Sequence, residues 1–117
     1  MRTKREIGII GEIIARGFLI RNGYKIVTTN FYTKKGEIDL IVQKDKKLIF
    51  VEVKTRTNNK YGTPAMAITE EKIKHMKFAA KVFLMLNDYK NYDIRFDVIE
   101  ITIINQICKI NHIERII

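Results

Sequence analysis

The chain has 117 residues, of which 46% are apolar, and this combination is typical of one folded domain over residues 1–117 and excludes a disordered chain. No apolar run approaches the roughly 20 residues of a membrane-spanning helix, and no secretory cleavage site is visible, so we expect a cytoplasmic protein with no membrane partner. A single cysteine excludes an internal disulfide, and the formal charge of +9 favours a polyanionic partner, above all nucleic acid.

Hydrophobic periodicity predicts two helices and five strands in the order αβββαββ. Asn22-Gly23 ends the first helix, and Thr69 is a suitable N-cap for the second. Asn, Gly and Pro residues predict a loop over residues 57–67. The order indicates an α/β fold in which a mixed central sheet is flanked by helices. We expect the helices at residues 3–21 and 69–86, and the strands at 24–32, 37–43, 47–55, 93–103 and 106–113.

The first predicted helix carries apolar residues on two arcs. One arc supplies the expected core contact, and Ile9, Ile13 and Ile20 form the second. A domain of this size has one core and cannot bury both arcs, so the second arc predicts a homodimer.

Charged residues interrupt two runs that otherwise predict core strands. Glu37 and Asp39 lie in the second strand, and Glu52 and Lys54 lie in the third. If Asp45-Lys46 forms the tip of an antiparallel turn, paired residue numbers sum to 91 (45 plus 46), so Asp39 faces Glu52 and Glu37 faces Lys54. The apolar residues expected on the opposite face are Ile38, Leu40, Val51 and Val53.

The pair Asp39 and Glu52 predicts a metal site. Directly opposed strand residues have Cβ atoms roughly 4.5–5.5 Å apart, close enough for two carboxylates to hold one divalent cation. Without a cation, burial and like charge disfavour ionisation of both groups. We therefore expect Mg²⁺ or Mn²⁺ between them, with Glu37 in an ion pair with Lys54 rather than on the metal.

Glu12 lies in the first helix among small residues, Gly8, Gly11 and Ala15, which permit close approach of the helix to the sheet. This setting would bring the Glu12 carboxylate against the predicted metal site. The alternative is a solvated Glu12 paired with Arg16, one helical turn later.

Basic residues near the acidic strands are candidate phosphate contacts. Arg56 and Lys60 follow Lys54 at the start of the loop, and a basic row on the second helix completes the predicted nucleic-acid surface. A solvated loop and a solvated helix face are the alternatives. The row consists of Lys74, Lys77 and Lys81.

The remaining reactive side chains predict no second site. His75 and His112 lack neighbouring ligands at zinc-site spacing and are expected to be incidental. Arg95 and Asp97 alternate with apolar residues and predict a structural salt bridge, with a supporting role behind the predicted metal site as the alternative. Cys108 lies at a strand position rather than at the position of a nucleophile.

The chain resembles the restriction-endonuclease-like superfamily, whose sites combine an acid on one strand with Glu-x-Lys on the next. More closely it resembles the YraN-like family of predicted endonucleases, and it is more distantly similar to archaeal Holliday-junction resolvases. The resemblance rests on Gly11-Glu12 with Ala15, Gly23-Tyr24, residues 36–41, residues 50–54 with Arg56, Gly62 with Pro64, Lys72, and residues 95–98.

This resemblance implies an αβββαβ core and a Mg²⁺-dependent nuclease. Asp39 and Glu52 would bind the metal, Glu12 would complete its shell directly or through water, and Lys54 would position the attacking water or neutralise the phosphate. Because no base-reading motif is present, we expect shape to select the substrate, which predicts branched or structured DNA. The alternatives are a nucleic-acid-binding adaptor that has lost cleavage and, third, an oligomerisation domain.

Overall fold

The structure, a computed structural model, describes residues 2–58 and 68–117. The predicted order αβββαββ is confirmed, and each predicted boundary of a helix or strand lies within one residue of the observed one. Within the described ranges, no helix is long and apolar enough to cross a membrane. The elements are α1 (Lys4–Arg21), β1 (Lys25–Thr33), β2 (Gly36–Lys44), β3 (Lys47–Arg56), α2 (Glu70–Leu86), β4 (Asp93–Ile104) and β5 (Ile107–Ile113).

Both helices begin at threonine N-caps. The Thr3 hydroxyl accepts from the Glu6 amide at 3.1 Å, and the Glu6 carboxylate accepts from the Thr3 amide at 2.8 Å, which makes a capping box. Thr69 accepts from the Lys72 amide at 3.0 Å. These bonds satisfy amide groups that have no partner inside a helix and fix where each helix starts.

The described strands form one mixed sheet in the order β1-β2-β3-β4-β5. Neighbouring strands are antiparallel except β3 and β4, which are parallel and are connected through α2. A parallel pair needs such a crossover because its second strand must start again at the same edge as the first.

The β2–β3 register is the predicted one. Pairs from Leu40 with Val51 to Lys44 with Lys47 all sum to 91, and Asp45 has φ +56° at the turn. The ladder ends at Leu40 and Val51, so Asp39 lies just beyond the last backbone pair rather than within the ladder.

The sheet carries a hydrophobic cluster on each face. One cluster packs against α1 and includes Ala15, Leu19 and Leu40. The other packs against α2 and includes Ile38 and Phe50. The sheet is therefore covered by a helix on each side, as predicted.

The prediction that Ile38 and Leu40 share a face is wrong. Ile38 packs on the α2 side and Leu40 on the α1 side. The reason lies in β1, where Asn30 has φ +50°, between the pairs Thr29 with Leu40 and Phe31 with Ile38. A left-handed residue inside a strand twists the pair locally, so alternation breaks at Asp39.

Two glycines allow the helices to lie close to the strands. A Cβ at Gly11 would overlap the Thr55 hydroxyl, so α1 contacts β3 there. A Cβ at Gly36 would lie 2.8 Å from the His75 Cβ, so the start of β2 lies against the first turns of α2. Both contacts bring helix residues to the end of the β2–β3 ladder.

Candidate active site

Carboxylates from three elements line a cleft of about 500 Å³ between α1 and the end of β3. Glu12 comes from α1, Glu37 and Asp39 come from β2, and Glu52 comes from β3. The structure thus brings together the acids predicted from the sequence. The other described residues that line the cleft are Lys4, Ile7, Gly8, Val53, Thr55, Arg56, Thr57 and Asn58.

The Asp39 side chain replaces a backbone hydrogen bond between β2 and β3. Its Oδ2 accepts from the Val53 amide at 2.8 Å, just beyond the last β2–β3 pair. Burial raises the pKa of the Asp39 carboxyl, and the Val53 hydrogen bond and the Lys72 charge oppose this rise without cancelling it.

Glu52 is the least exposed carboxylate of the cleft. It is 4% exposed, and its Oε1 lies 3.2 Å from Lys72 Nζ. Its Oε2 is buried and, while Glu52 is ionised, has no hydrogen-bond partner in the described part of the chain; a protonated Glu52 bonds the Asp39 side chain. Burial and the charge of Asp39 raise the pKa of Glu52 to about 7. Glu52 therefore carries a proton part of the time at neutral pH unless a metal ion binds to it.

Lys72 was not among the site residues predicted from the sequence. It follows the N-cap of α2 and lies on the same stripe as Met76, Ala79 and Phe83, at spacings of four, seven and eleven residues. Those three residues are buried against the sheet, so Lys72 also points inward, and Glu52 is its ion-pair partner. A lysine at the first position of a buried helical stripe was the signal that could have identified it.

Glu12 and Glu37 lie at the more open end of the cluster. Burial raises the pKa of both, and the nearby Asp39 charge raises each further. A polar interaction with the Asn30 side chain lowers the pKa of Glu12 more than the attraction of Arg16 does. The structure therefore places Glu12 against β1 and β2 and does not favour a solvated Glu12–Arg16 pair.

The predicted ion pair between Glu37 and Lys54 is not found among the described residues. Ile38 packs on the α2 side, so alternation places Glu37 on the α1 side, where it lines the cleft with Glu12. Lys54, two residues after Glu52, is half-buried and acts on Asp39 and Glu52 through its charge. The cation that acts on Glu37 is Lys72.

The acids do not already form a closed metal cage. In residues 2–58 and 68–117, no three His, Cys, Asp or Glu side chains converge as a set of metal ligands. The donor chemistry still suits a hard cation, because Mg²⁺ uses one or two carboxylates together with water and substrate phosphate. The buried, partnerless Glu52 Oε2 beside Asp39 is the observation that fits such a cation.

The predicted phosphate contacts divide into three groups. Arg56 lines the cleft, but its Nε lies 2.9 Å from Glu100 Oε2, so this guanidinium also anchors β3 to β4. Lys60 lies outside the described residues. The basic row on α2 is exposed on the side turned away from the sheet, opposite Lys72; it comprises Lys74, Lys77 and Lys81.

A second buried charge cluster surrounds Asp97, which is fully buried. Arg95 donates to Asp97 at 2.9–3.2 Å and to the Tyr24 hydroxyl at 2.8 Å. His112 Nε2 lies 2.7 Å from Asp97 Oδ2, and the Arg115 amide donates to Oδ1 at 3.1 Å. The predicted Arg95–Asp97 salt bridge is confirmed.

The expectation that His112 is incidental is wrong, because it is a direct partner of Asp97. No spacing along the chain predicts this contact, because Asp97 and His112 lie on two different strands. His75 lies 3.9 Å from the exposed Glu71 on the same helix. Cys108 lies in β5, so its predicted strand position is confirmed, and it is exposed.

Comparison with known proteins places the chain in a family. Residues 11–101 match the model of the uncharacterised protein family UPF0102. The chain belongs to this family. The matched residues include Glu12, Asp39, Glu52 and Lys54.

Curated UPF0102 proteins are similar over almost their whole length. The Syntrophomonas wolfei protein is 43% identical over 109 residues, which cover 93% of this chain and 95% of that protein. The Caldicellulosiruptor bescii protein is 42% identical over 113 residues, covering 94% and 95%. The Geobacter metallireducens protein is 40% identical over 109 residues, covering 93% and 89%.

Among solved structures, the crystal structure of SSO0001 aligns with a TM-score of 0.40 and 20% sequence identity. The alignment covers 97% of this chain and 53% of that chain, so this chain spans about half the length of SSO0001.

Proposed function

We propose that this UPF0102 protein is a divalent-metal-dependent nuclease of the restriction-endonuclease-like superfamily, acting on structured or branched DNA. The single observation that carries the proposal is the buried Glu52 Oε2, which has no hydrogen-bond partner among the described residues and lies beside Asp39. A buried carboxylate oxygen without a hydrogen-bond partner costs free energy that a structural role would not require. A bound cation would bind this oxygen and offset that cost.

Asp39 and Glu52 would hold the cation. The Val53 amide fixes Asp39 Oδ2 and Lys72 holds Glu52 Oε1, so each carboxylate is oriented by one partner and keeps a second oxygen for a ligand. A bound Mg²⁺ or Mn²⁺ would supply charge neutralisation at the phosphate and activation of the attacking water.

The other residues of the cleft would act on the substrate. Glu12, approached by the Asn30 side chain, would hold a water that completes the metal shell. Lys54 would position the attacking water or neutralise the phosphate, because its charge already acts on Asp39 and Glu52. Lys72 would keep Glu52 ionised and in place, as its charge and hydrogen bond lower the pKa of that group.

The net charge of +9 supports a nucleic-acid substrate, since a positive surface attracts a phosphate backbone without regard to sequence. The described elements include no recognition helix outside the two sheet-packing helices. Selection by DNA geometry rather than by bases is therefore part of the proposal, and the outer row of Lys74, Lys77 and Lys81 remains a candidate contact for DNA beyond the cleft.

A second candidate function is nucleic-acid binding without cleavage. It is favoured by one observation, that no three ligand-type side chains converge among the described residues. In that case Glu52 would remain partly protonated at neutral pH, and the protein would bind structured DNA as an adaptor.

One experiment separates the two candidates. The purified protein is incubated with labelled single-stranded, duplex, flap and four-way-junction DNA in Mg²⁺, Mn²⁺ or EDTA. The matched variants are Glu52→Gln in the cleft and Glu71→Gln on the exposed face of α2, where the same chemical change is made. Calorimetric titration of Mn²⁺ into each protein gives a readout that does not depend on cleavage.

For a nuclease, we expect cleavage of at least one structured substrate in Mg²⁺ or Mn²⁺ and none in EDTA. Glu52→Gln should lower the rate by at least about 100-fold, the upper end of the effect of changing a metal's outer shell, and should abolish Mn²⁺ binding. Glu71→Gln should behave as the unchanged protein. Binding of DNA without cleavage or metal binding would instead support the adaptor.

The proposal includes a homodimer formed through the outer face of α1. Ile9, Ile13 and Ile20 are 48%, 53% and 58% exposed, and all three lie on the side of α1 turned away from the sheet. Pairing there would leave both clefts open to the two strands of a branched substrate. Sedimentation equilibrium at micromolar concentration should give a dimer, and Ile13→Glu should give a monomer. A monomeric starting protein would remove this part of the proposal.

A further inference from the structure

Helix α1 contains three glycines, which is unusual because each glycine in a helix interior costs roughly 1 kcal/mol relative to alanine. Gly11 is explained by its contact with Thr55 in β3. Gly8 is not explained by packing, because a Cβ added there would meet nothing within 4 Å. The space next to Gly8 is open, and Gly8 lines the cleft that holds the carboxylates.

The cleft itself provides an independent sign of a ligand. Glu52 lines it, is 4% exposed, and has a buried oxygen without a partner among the described residues. Glu12 lies one helical turn beyond Gly8 on the same wall, about 6 Å away along the helix axis. The open space beside Gly8 is therefore continuous with the space in front of the carboxylates.

The other end of this wall is basic. Lys4 lies one turn before Gly8, lines the cleft and is exposed. Arg2 and Arg5 are also exposed at this end of α1. Along one helix face the order is thus a cation, an open glycine and a carboxylate, at intervals of about 6 Å.

We infer that a nucleic-acid backbone crosses α1 at Gly8, with one phosphate on Lys4 and the next part of the strand directed towards Asp39 and Glu52. This inference rests on the proposed function and adds the path of the strand. Gly8 is needed because a side chain there would occupy the space of the backbone, whereas Lys4 supplies sequence-independent attraction to phosphate.

Glycine variants at two positions of α1 test the path. Gly8→Leu fills the cleft, and Gly17→Leu is the matched control, because a Cβ at Gly17 meets only the flexible end of Arg21 at 3.2 Å. Binding of a fluorescent four-way junction is measured in EDTA, where cleavage plays no part. Gly8→Ala, Gly17→Ala and Lys4→Ala are measured alongside, together with the melting temperature of every variant.

We expect Gly8→Leu to weaken junction binding by at least about tenfold and Gly17→Leu to leave it within about twofold, because only the first intrudes on the strand. Gly8→Ala and Gly17→Ala should each raise the melting temperature by about 3–6 °C, since each replaces a helical glycine. Lys4→Ala should reduce the slope of log affinity against log salt by about 0.7–0.9.

Two results would overturn the path while leaving the proposed nuclease intact. One is a folded Gly8→Leu protein that binds the junction as tightly as the unchanged protein. The other is an unchanged salt slope in Lys4→Ala, which is decisive even if Gly8→Leu does not fold, because Lys4 is exposed. If the unchanged protein binds no DNA at all, the proposed function fails first, and the path fails with it.

Discussion

Two buried charge clusters of this protein differ in how their carboxylates are satisfied. Asp97 is fully buried, yet it accepts from Arg95, His112 and the Arg115 amide. Burial alone would raise its pKa, but the hydrogen bonds from His112 and Arg95 outweigh burial and hold the pKa of Asp97 below its usual value. Around Asp39 and Glu52, burial prevails, and the pKa of each is raised.

The difference separates a structural cluster from a functional one. In the Asp97 cluster, each charge has a partner within the chain, so the native state needs no ligand there. In the cleft, burial raises the pKa values of Glu12, Glu37, Asp39 and Glu52, and the charge of Asp39 raises those of the other three further. Lys72 forms a direct ion pair with Glu52, one of these four acids. Buried acids with raised pKa values in a cleft are typical of sites that bind or transform a ligand.

The largest expected effect is on stability. Asp97→Asn should lower the free energy of unfolding by roughly 3 kcal/mol, because it leaves the buried Arg95 with only the exposed Glu114 as a counter-charge. Asp39→Asn should leave stability in EDTA unchanged or higher, because it removes repulsion with Glu52 and keeps an acceptor for the Val53 amide. Urea unfolding of both variants measures the contrast. Equal losses would show that the two clusters do not differ in the way described.

DNA cleavage should depend on the cleft and not on the Asp97 cluster, which is the reverse of the pattern expected for stability. Asp39→Asn is expected to lower Mg²⁺-dependent DNA cleavage by at least about 100-fold, since it removes a proposed metal ligand. His112→Gln alters the Asp97 cluster without touching the cleft and should leave the rate within about twofold at a temperature well below melting. Single-turnover cleavage of a four-way junction is the measurement. Rate losses of similar size in both folded variants would contradict the assignment of the site.

The two clusters should also give stability opposite dependences on pH. Because the pKa of Glu52 is raised from 4.5 to about 7, the folded protein keeps a proton that the unfolded chain has released, so stability falls as pH rises from about 4.5 to 7. The pKa of Asp97 is lowered, so its contribution is present above its usual 3.8 and is lost only as pH falls through the lower folded value.

Urea unfolding in EDTA at pH 5, 6, 7 and 8 tests this dependence. Glu52→Gln should flatten the decline towards pH 8, and saturating Mn²⁺ should do the same in the unchanged protein if the metal competes with the proton. A stability that rises between pH 5 and 7 in EDTA would show that Glu52 is already ionised and paired.

The sequence was sufficient to predict the helices, the strands and the β2–β3 register. Periodicity predicted the helices and strands, the Thr69 cap predicted where α2 begins, and the polar turn at Asp45 predicted the register; all three are local signals. Glu12, Asp39 and Glu52 were placed correctly in one cleft because the first helix and two paired strands bring them there.

The parts that could not be predicted depend on contacts between distant segments. The break in alternation at Asp39 arises from the left-handed Asn30 on the neighbouring strand, and a single Asn inside a strand pattern is a weak signal. That break is why Glu37 does not face Lys54. Lys72 and His112 meet their acidic partners only through tertiary packing, although the buried stripe of α2 contained the information needed for Lys72.

The smallest effect concerns Asn30, which shapes the unsatisfied cluster but carries no charge. Asn30→Ala should lower the free energy of unfolding by about 1 kcal/mol, because alanine disfavours the positive φ of this residue, whereas Asn30→Gly should stay within a few tenths of a kcal/mol. Both variants lose the interaction with Glu12 and should therefore lower DNA cleavage equally, despite their different stabilities. Urea midpoints and single-turnover rates are compared for the two variants. If cleavage instead follows stability, so that Asn30→Gly is fully active, the role of Asn30 is confined to the backbone, and Glu12 is held in place without it.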